Sequence, residues 1–385
     1  MKGIENMKLF HLSDLHLGKH LFKVNLLEDQ RDMLGQIIEH IKLEKPDGVM
    51  IAGDVYDRSV PSEEAVALFD DFLFELSELK LPIMIVSGNH DSAERLACGG
   101  RILNRSGIYI SPELNRKNYD AILKPVVLKD DFGDVNFYLL PFTTPPAVRA
   151  ARDGRPEEEI SSYTDAVRVV IGEMNVDTSK RNVMIAHQYV TGAKTCDSET
   201  FSAGGVECVD ESVFEPFDYV ALGHIHGPQN FSGGKIRYCG TPLKYSFSEV
   251  NHKKSITVVE IGRKGTVGIS EIPLDKPLHE LREIEGKFAE VIKEGKSDDY
   301  IRVILTDEDE GVDMMNKLRE YFPNIMNLSN ARNNDEYDYS ETENLNGLSP
   351  SELFSEFYKS RTGCDLNEWQ TDIVNAIFEE IGGNR

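Results

Sequence analysis

Positive charge is scarce in this chain: 42 lysines and arginines stand against 66 aspartates and glutamates, giving a net charge of −24. A protein that grips a nucleic acid unaided carries a basic footprint, so this composition excludes a general electrostatic hold on a polyanion. Cysteine is sparse and scattered. Cys98, Cys196, Cys208, Cys239 and Cys364 form an odd set with no CxxC pair, which indicates neither a disulfide framework nor a zinc knuckle and points to a reducing, cytoplasmic compartment. No apolar run approaches the roughly eighteen residues that a membrane helix needs. The first residues, MKGIENMKLF, lack the apolar core of a signal peptide, and no membrane association is expected. No internal repeat is present.

What is there reads as an ordinary globular protein, 40% hydrophobic and 28% charged. At 385 residues it is long enough for two or three domains. From Met7 to Lys254 short apolar strands alternate with amphipathic helices. Leu9–Ser13, Gly48–Ala52, Ile83–Ser87, Val183–Ala186 and Tyr219–Leu222 are apolar and bounded by polar residues or glycine, the pattern of buried strands. Met33, Leu34, Ile37, Ile38 and Ile41 fall at helical spacing, and Pro46 stops that helix. A layered α/β domain over 7–254 follows.

The block 255–328 differs in pattern and reads as a small α+β capping domain. It opens on a hairpin, Ile256–Ile261 and Val267–Ile272 around Arg263-Lys264-Gly265. A helix near Lys287–Lys293, a strand Tyr300–Thr306 and a helix Val312–Tyr321 follow. Residues 329–348 are polar and acidic, the composition of a linker. The remainder, 349–385, returns to helical periodicity as a helix pair. Ser349-Pro350-Ser351-Glu352 resembles a capping box, and Leu353, Phe354, Phe357 and Tyr358 form one stripe. In the second helix Leu366, Trp369, Ile373, Ile377 and Ile381 recur at helical spacing.

Five polar motifs each close one of the buried strands: Asp14-Leu15-His16, Gly53-Asp54, Gly88-Asn89-His90-Asp91, His187, and Gly223-His224-Ile225-His226. Ligands of open α/β sheets bind beyond the carboxyl ends of the strands, so these loops are expected to converge. Carboxylate, imidazole and amide together suit hard-to-borderline divalent metals. In extended chain the members of a DxH or HxH pair share a face, so one metal can take both or two adjacent metals one each.

The ordered set D-x-H, G-D-x-x-D, G-N-H-D, H and G-H-x-H resembles that of the calcineurin-like metallophosphoesterases. Within that superfamily the chain resembles the bacterial nucleases that process DNA double-strand breaks. The narrower likeness rests on His11-Leu-Ser-Asp14-Leu-His16-Leu-Gly18, Gly53-Asp-Val-Tyr-Asp57 and Tyr238-Cys-Gly-Thr-Pro-Leu-Lys-Tyr-Ser-Phe-Ser248, together with the cap and the terminal helices. The resemblance implies a sandwich fold and two divalent metal ions, manganese foremost; tolerance of imidazole ligands favours manganese or iron over magnesium. Asp14, His16, Asp54 and His226 then correspond to the first metal's ligands. Asp54, as the bridge, Asn89, His187 and His224 correspond to the second's. His90 corresponds to a catalytic residue that touches the scissile phosphate without binding metal. Aspartate at Asp57, where many relatives have histidine, leaves its role open.

The same resemblance implies exonuclease and endonuclease action on DNA, as a homodimer, with an ABC-type ATPase partner that carries a long coiled coil. Two other readings compete. One is a phosphoprotein phosphatase or cyclic-nucleotide phosphodiesterase on the same fold, against which the cap and terminal helices argue. The other is a non-catalytic scaffold, against which the intact ligand set argues. Outside the motifs, His11 is expected in the core and His40, His252 and His279 carry no role. Gly18-Lys19-His20, Arg95, Arg101 and Arg105 are as compatible with solvated surface as with DNA or dimer contacts.

Overall fold

In the computed structural model the apolar strands lie in two six-stranded sheets. The structure describes residues 6–155, 159–199, 207–307 and 312–331, and beyond these 351, 354, 355, 358, 366, 367, 370, 371, 373, 374, 377 and 378. The first sheet is ordered Val267–Pro273, Ser255–Ile261, Met7–Leu12, Gly48–Ala52, Ile83–Val86, Ile108–Ile110. The second is ordered Gln229–Phe231, Ile236–Tyr238, Tyr219–Gly223, Arg181–His187, Gly133–Leu140, Val126–Asp130.

Side chains alternate across each strand, and here both faces are covered. Leu9, Met50, Ala52, Met84 and Val86 of the first sheet pack on Phe137, Val183, Ile185 and Ala221 of the second. The opposite face of the first sheet, with Val49, Ile51, Ile83 and Ile85, packs on the helices Leu27–Glu44 and Glu63–Glu78. Met184, Ala186, Val220 and Leu222 of the second sheet pack on the helix Tyr163–Glu173. Four layers result, helix, sheet, sheet, helix, and the strands buried on both faces are the ones that read as continuous apolar runs. The helix Leu27–Glu44 ends two residues before Pro46, as the steric demand of proline on its predecessor requires.

The hairpin expected to open the capping block belongs to the sandwich instead. Its first strand pairs antiparallel with Met7–Leu12, Met7 opposite Ile261 and His11 opposite Thr257. The cap's own sheet has three strands, Leu281–Gly286, Tyr300–Leu305 and Ile325–Asn330, the first two parallel. Ile301, Val303, Leu305, Leu318 and Phe322 form its core with the helix Val312–Arg319. The third strand takes in Ser329 and Asn330, the first residues of the expected linker; from 332 to 348 that linker lies outside the described residues. The buried Asp29 carboxylate ties cap to sandwich, accepting from the His279 backbone N–H at 2.9 Å and the Tyr300 hydroxyl at 2.8 Å.

Asn330–Arg385 forms a second compact unit. Residues 351, 354, 355 and 358 are helical, as are 370, 371, 373, 374, 377 and 378. The Phe354 and Phe378 rings lie 6.3 Å apart, and Gln370 Nε2 donates to the Tyr358 hydroxyl at 3.1 Å. Apart from Ser351, the expected capping box lies outside the described residues, as do Leu353, Phe357, Trp369 and Ile381. No described helix is long and apolar enough to cross a membrane.

Candidate metal centre

Met7–Leu12, Gly48–Ala52 and Ile83–Val86 run parallel in one sheet, and Arg181–His187 and Tyr219–Gly223 run parallel in the other. Their carboxyl ends carry the five motifs. Past the strand ends two motif loops stay side by side: the backbone N–H of Asp14 donates to Gly53 at 2.9 Å and that of His16 to Asp54 at 3.0 Å. Asp14, His16, Asp54 and His224 all have positive φ, between 44° and 102°. Such backbone costs of order 1–3 kcal/mol per residue and persists where the surroundings impose it. Here it turns four side chains inward.

Two motif glycines make room. A Cβ on Gly88 would lie 2.1 Å from Asp54 Oδ1. Gly53 has φ +92°, and a Cβ there would lie 2.4 Å from His187 Nδ1.

All seven expected ligand residues meet at this end of the sandwich, and all but Asn89 are buried. Donor atoms of Asp14, His16 and His226 lie within 4.8 Å of one another, as do those of Asp14, Asp54 and His187, of His16, Asp57 and His90, and of Cys196, His226 and Glu249. His16 Nε2 faces His226 Nε2 at 3.2 Å. On the other side, Asn89 Oδ1 lies 2.9 Å from His187 Nε2 and 3.0 Å from His224 Nδ1. Asp54 stands between the two groups, with Oδ2 3.3 Å from His187 Nε2 and 3.7 Å from His16 Nε2. Buried lone pairs that converge in this way repel one another unless a proton or a cation lies among them. The donor set therefore fits divalent cations.

The electrostatics are those of a site organised around positive charge. Burial alone would raise the Asp54 carboxyl, yet His187, and after it His16 and His90, hold it well below the usual carboxylate range. Burial would likewise lower His187, but Asp54 outweighs it and pushes the imidazole up to about 9. Burial pushes Asp14 up to about 6, against the pull of His187 and His226. Burial, and then the charge on His187, hold His224 down at about 3. The proton on His187 supplies part of the charge that a cation would bring.

His90 is half-buried at the rim, its backbone N–H on Asp54 Oδ1 at 2.9 Å and its Nδ1 2.9 Å from the Asp57 carbonyl. His11 is a core residue, as expected, with Nδ1 2.9 Å from the Tyr219 hydroxyl. Arg95, Arg101 and Arg105 are exposed, and Lys19 pairs with Asp57 at 2.8 Å.

Four positioning residues escaped sequence reasoning. The Asp91 carboxylate accepts from the backbone of Val55, Tyr56 and Gly88 at 2.9–3.1 Å, tying two motif loops together. Gln30 donates to the carbonyl oxygens of Leu15 and His16. Ser198 Oγ lies 2.7 Å from His226 Nδ1 and donates to Glu249 at 2.6 Å. Asp91 was signalled by its place in Gly88-Asn89-His90-Asp91, and Glu249 by directly following Ser248; nothing in the sequence marks Gln30 or Ser198.

A family model described as calcineurin-like phosphoesterase matches residues 7–228. A second, described as type 5 capsule protein repressor C-terminal domain, matches 277–362, beginning beyond the hairpin of the sandwich. The SbcD subunit of the SbcCD nuclease of Staphylococcus epidermidis (strain ATCC 12228 / FDA PCI 1200) is 37% identical over 383 residues, covering 97% of this chain and 99% of that protein. Among solved structures, a dimetal phosphatase from Danio rerio aligns at a TM-score of 0.40 and 12% identity, over 69% of this chain and 96% of its own. GAP50, the anchor in the inner membrane complex of Plasmodium, aligns at 0.41 and 13%, over 71% and 90%.

Proposed function

This chain belongs to the calcineurin-like phosphoesterases and, within them, to the family of the SbcD nuclease subunits, and from that premise we infer that it is a metal-dependent deoxyribonuclease working with an SbcC-type ABC ATPase. The observation that carries this reading is a cluster of two buried carboxylates, four buried imidazoles and a half-buried amide in a chain alike over nearly its whole length to a nuclease subunit. The reaction is hydrolysis of phosphodiester bonds in DNA, as exonuclease on duplex and endonuclease on single-stranded or hairpin substrates. A phosphoprotein phosphatase or cyclic-nucleotide phosphodiesterase is the reading not favoured, since the likeness to the nuclease subunit runs through the cap as well as the sandwich.

Asp14, His16, Asp54 and His226 would hold one divalent ion and Asp54, Asn89, His187 and His224 a second, with Mn2+ the ion we favour. Bound there, the ions supply positive charge to the phosphate and bring water closer to hydroxide near neutral pH. The chain's own groups do the rest. Asp54 fixes the separation of the two halves of the site. His90, held by its Nδ1 contact to the Asp57 carbonyl, presents its ring at the rim, where it contacts the scissile phosphate and either stabilises the transition state or protonates the departing oxygen.

The net charge of −24 is compatible with DNA as substrate because exposed charge is screened within about 8 Å at physiological ionic strength. Cations at the cleft then matter more than the total, and the ATPase, with its long coiled coil, supplies much of the grip. A homodimer of the nuclease subunit and a cytoplasmic location complete the reading; the scattered cysteines support the latter. Incubating the pure protein and Mn2+ with linear duplex DNA and, separately, with a phosphopeptide tests it. DNA cleavage without dephosphorylation is expected, and the reverse outcome overturns it.

A further inference from the structure

The two histidines that face each other by Nε2, His16 and His226, each have a carboxylate behind their other nitrogen, reached through a hydroxyl for His226 and at a distance without a hydrogen bond for His16. His226 Nδ1 lies 2.7 Å from Ser198 Oγ, which itself donates to Glu249 Oε1 at 2.6 Å, and the carboxylate oxygen stands 3.5 Å from the ring nitrogen. Because the hydroxyl's proton goes to Glu249, its oxygen accepts from His226 Nδ1–H. That fixes the tautomer and leaves the Nε2 lone pair aimed at His16 and Asp14. His16 Nδ1 is buried and has no hydrogen-bond partner among the described residues, and Asp57 Oδ1 stands 3.8 Å from it. Each carboxylate is held by a lysine, Asp57 by Lys19 at 2.8 Å and Glu249 by Lys254 at 2.6 Å.

In the other half of the site the hydrogen bond goes to a neutral group: His187 donates Nδ1–H to the carbonyl oxygen of Ala52 at 2.8 Å, and the nearest carboxylate oxygen on that side, Asp14 Oδ1, stands off at 4.0 Å. A carboxylate behind an imidazole orients the ring and makes its far nitrogen a better donor than a neutral acceptor does.

We propose that Asp57 and Glu249 are positioning carboxylates for His16 and His226, and that they make the Asp14–His16–His226 half of the centre the tighter of the two for a divalent cation. This rests on the reading of the site as a two-cation centre. It also assigns Asp57: its carboxylate serves His16 from behind while its carbonyl holds His90.

The test is a titration of the metal-free full-length protein with Mn2+, followed by calorimetry and by electron paramagnetic resonance of free and bound ion. The wild-type chain is expected to take up two ions in unequal steps. Asp57→Asn and Ser198→Ala should each weaken the tighter step by about 10- to 100-fold, with the weaker step and the metal-free melting temperature unchanged. The weaker step is the internal control, because a general loosening of the fold would reduce both. Glu249→Gln is a third variant, and if loss of Lys254's partner prevents it from folding, the other two decide. Two steps equally reduced, or neither changed, overturn the proposal. A wild-type chain that takes up no Mn2+ overturns the two-cation reading, and this proposal with it.

Discussion

Asp54 and His187 form a buried pair between the two sheets, Oδ2 to Nε2 at 3.3 Å, each holding the other in its charged form. Asp54 follows a strand of the first sheet and His187 closes a strand of the second, so the pair also joins the halves of the sandwich at the site. Asp54→Asn keeps the shape and removes one of two site carboxylates. Nuclease activity should fall to background while circular dichroism and gel filtration stay at wild-type values. Near-native DNA cleavage by this variant at saturating Mn2+ would sink the assignment of Asp54 as the shared ligand.

Whether His90 serves chemistry or binds metal can be tested directly. It donates its backbone N–H to Asp54, has Nδ1 against the Asp57 carbonyl and has its ring 4.9 Å from that of His16, and we read it as a group outside the two ligand sets. His90→Ala should therefore retain the wild-type Mn2+ stoichiometry while turnover drops by about 10²–10⁴-fold, the usual cost of losing a positioned proton-transfer group. Atomic absorption on the dialysed variant reads the first quantity and single-turnover cleavage the second. Loss of an ion would make His90 a ligand.

Metal uptake should release protons, with a sign the site dictates. His187 is raised from 6.5 to about 9 in the metal-free protein by Asp54, against burial, so it is protonated at neutral pH and must shed that proton to become a ligand. Mn2+ affinity should then rise with pH by about one power of ten per pH unit between roughly 7 and 8.5. Below about 6 the Asp14 carboxyl, raised by its burial, adds a second proton and steepens the dependence. In the metal-free state the raised His187 contributes stability that is full below its unfolded value of 6.5 and is lost as pH rises through about 9. Calorimetry in buffers of different ionisation enthalpy measures the release, and a pH-independent affinity would contradict it.

The five strands that carry the site were legible because burial on both faces leaves an apolar run that motif residues then end. Gly48–Ala52 matches to the residue, and the other four agree to within two residues at either end. The hairpin at 255–273 was legible as a hairpin but not as part of the sandwich. Its partner is Met7–Leu12 at the far end of the chain, and alternation within a strand carries no record of the strand it pairs with. The same limit hid Ser198. It belongs to a loop without periodicity, and its tie to His226 exists through folding alone.

The terminal helix pair should dock on the ATPase partner. Within its own unit Phe354 meets Phe378 and Gln370 meets Tyr358, yet Phe354, Ile373 and Ile377 remain 38%, 39% and 48% exposed. Two short helices have too little surface to bury such a stripe between themselves, and an apolar helical face of this kind is what a groove on a partner takes up. The sandwich and the cap have their own cores, so neither needs the pair in order to fold. A chain truncated after Gly347 is therefore expected to melt as the full chain does and to cleave simple DNA substrates with Mn2+, but to lose co-purification with the ATPase. Retained complex formation would put the docking surface elsewhere. A truncated chain that precipitates or melts early would instead make the helices part of this protein's own core, and the exposed stripe would then need a partner within the chain.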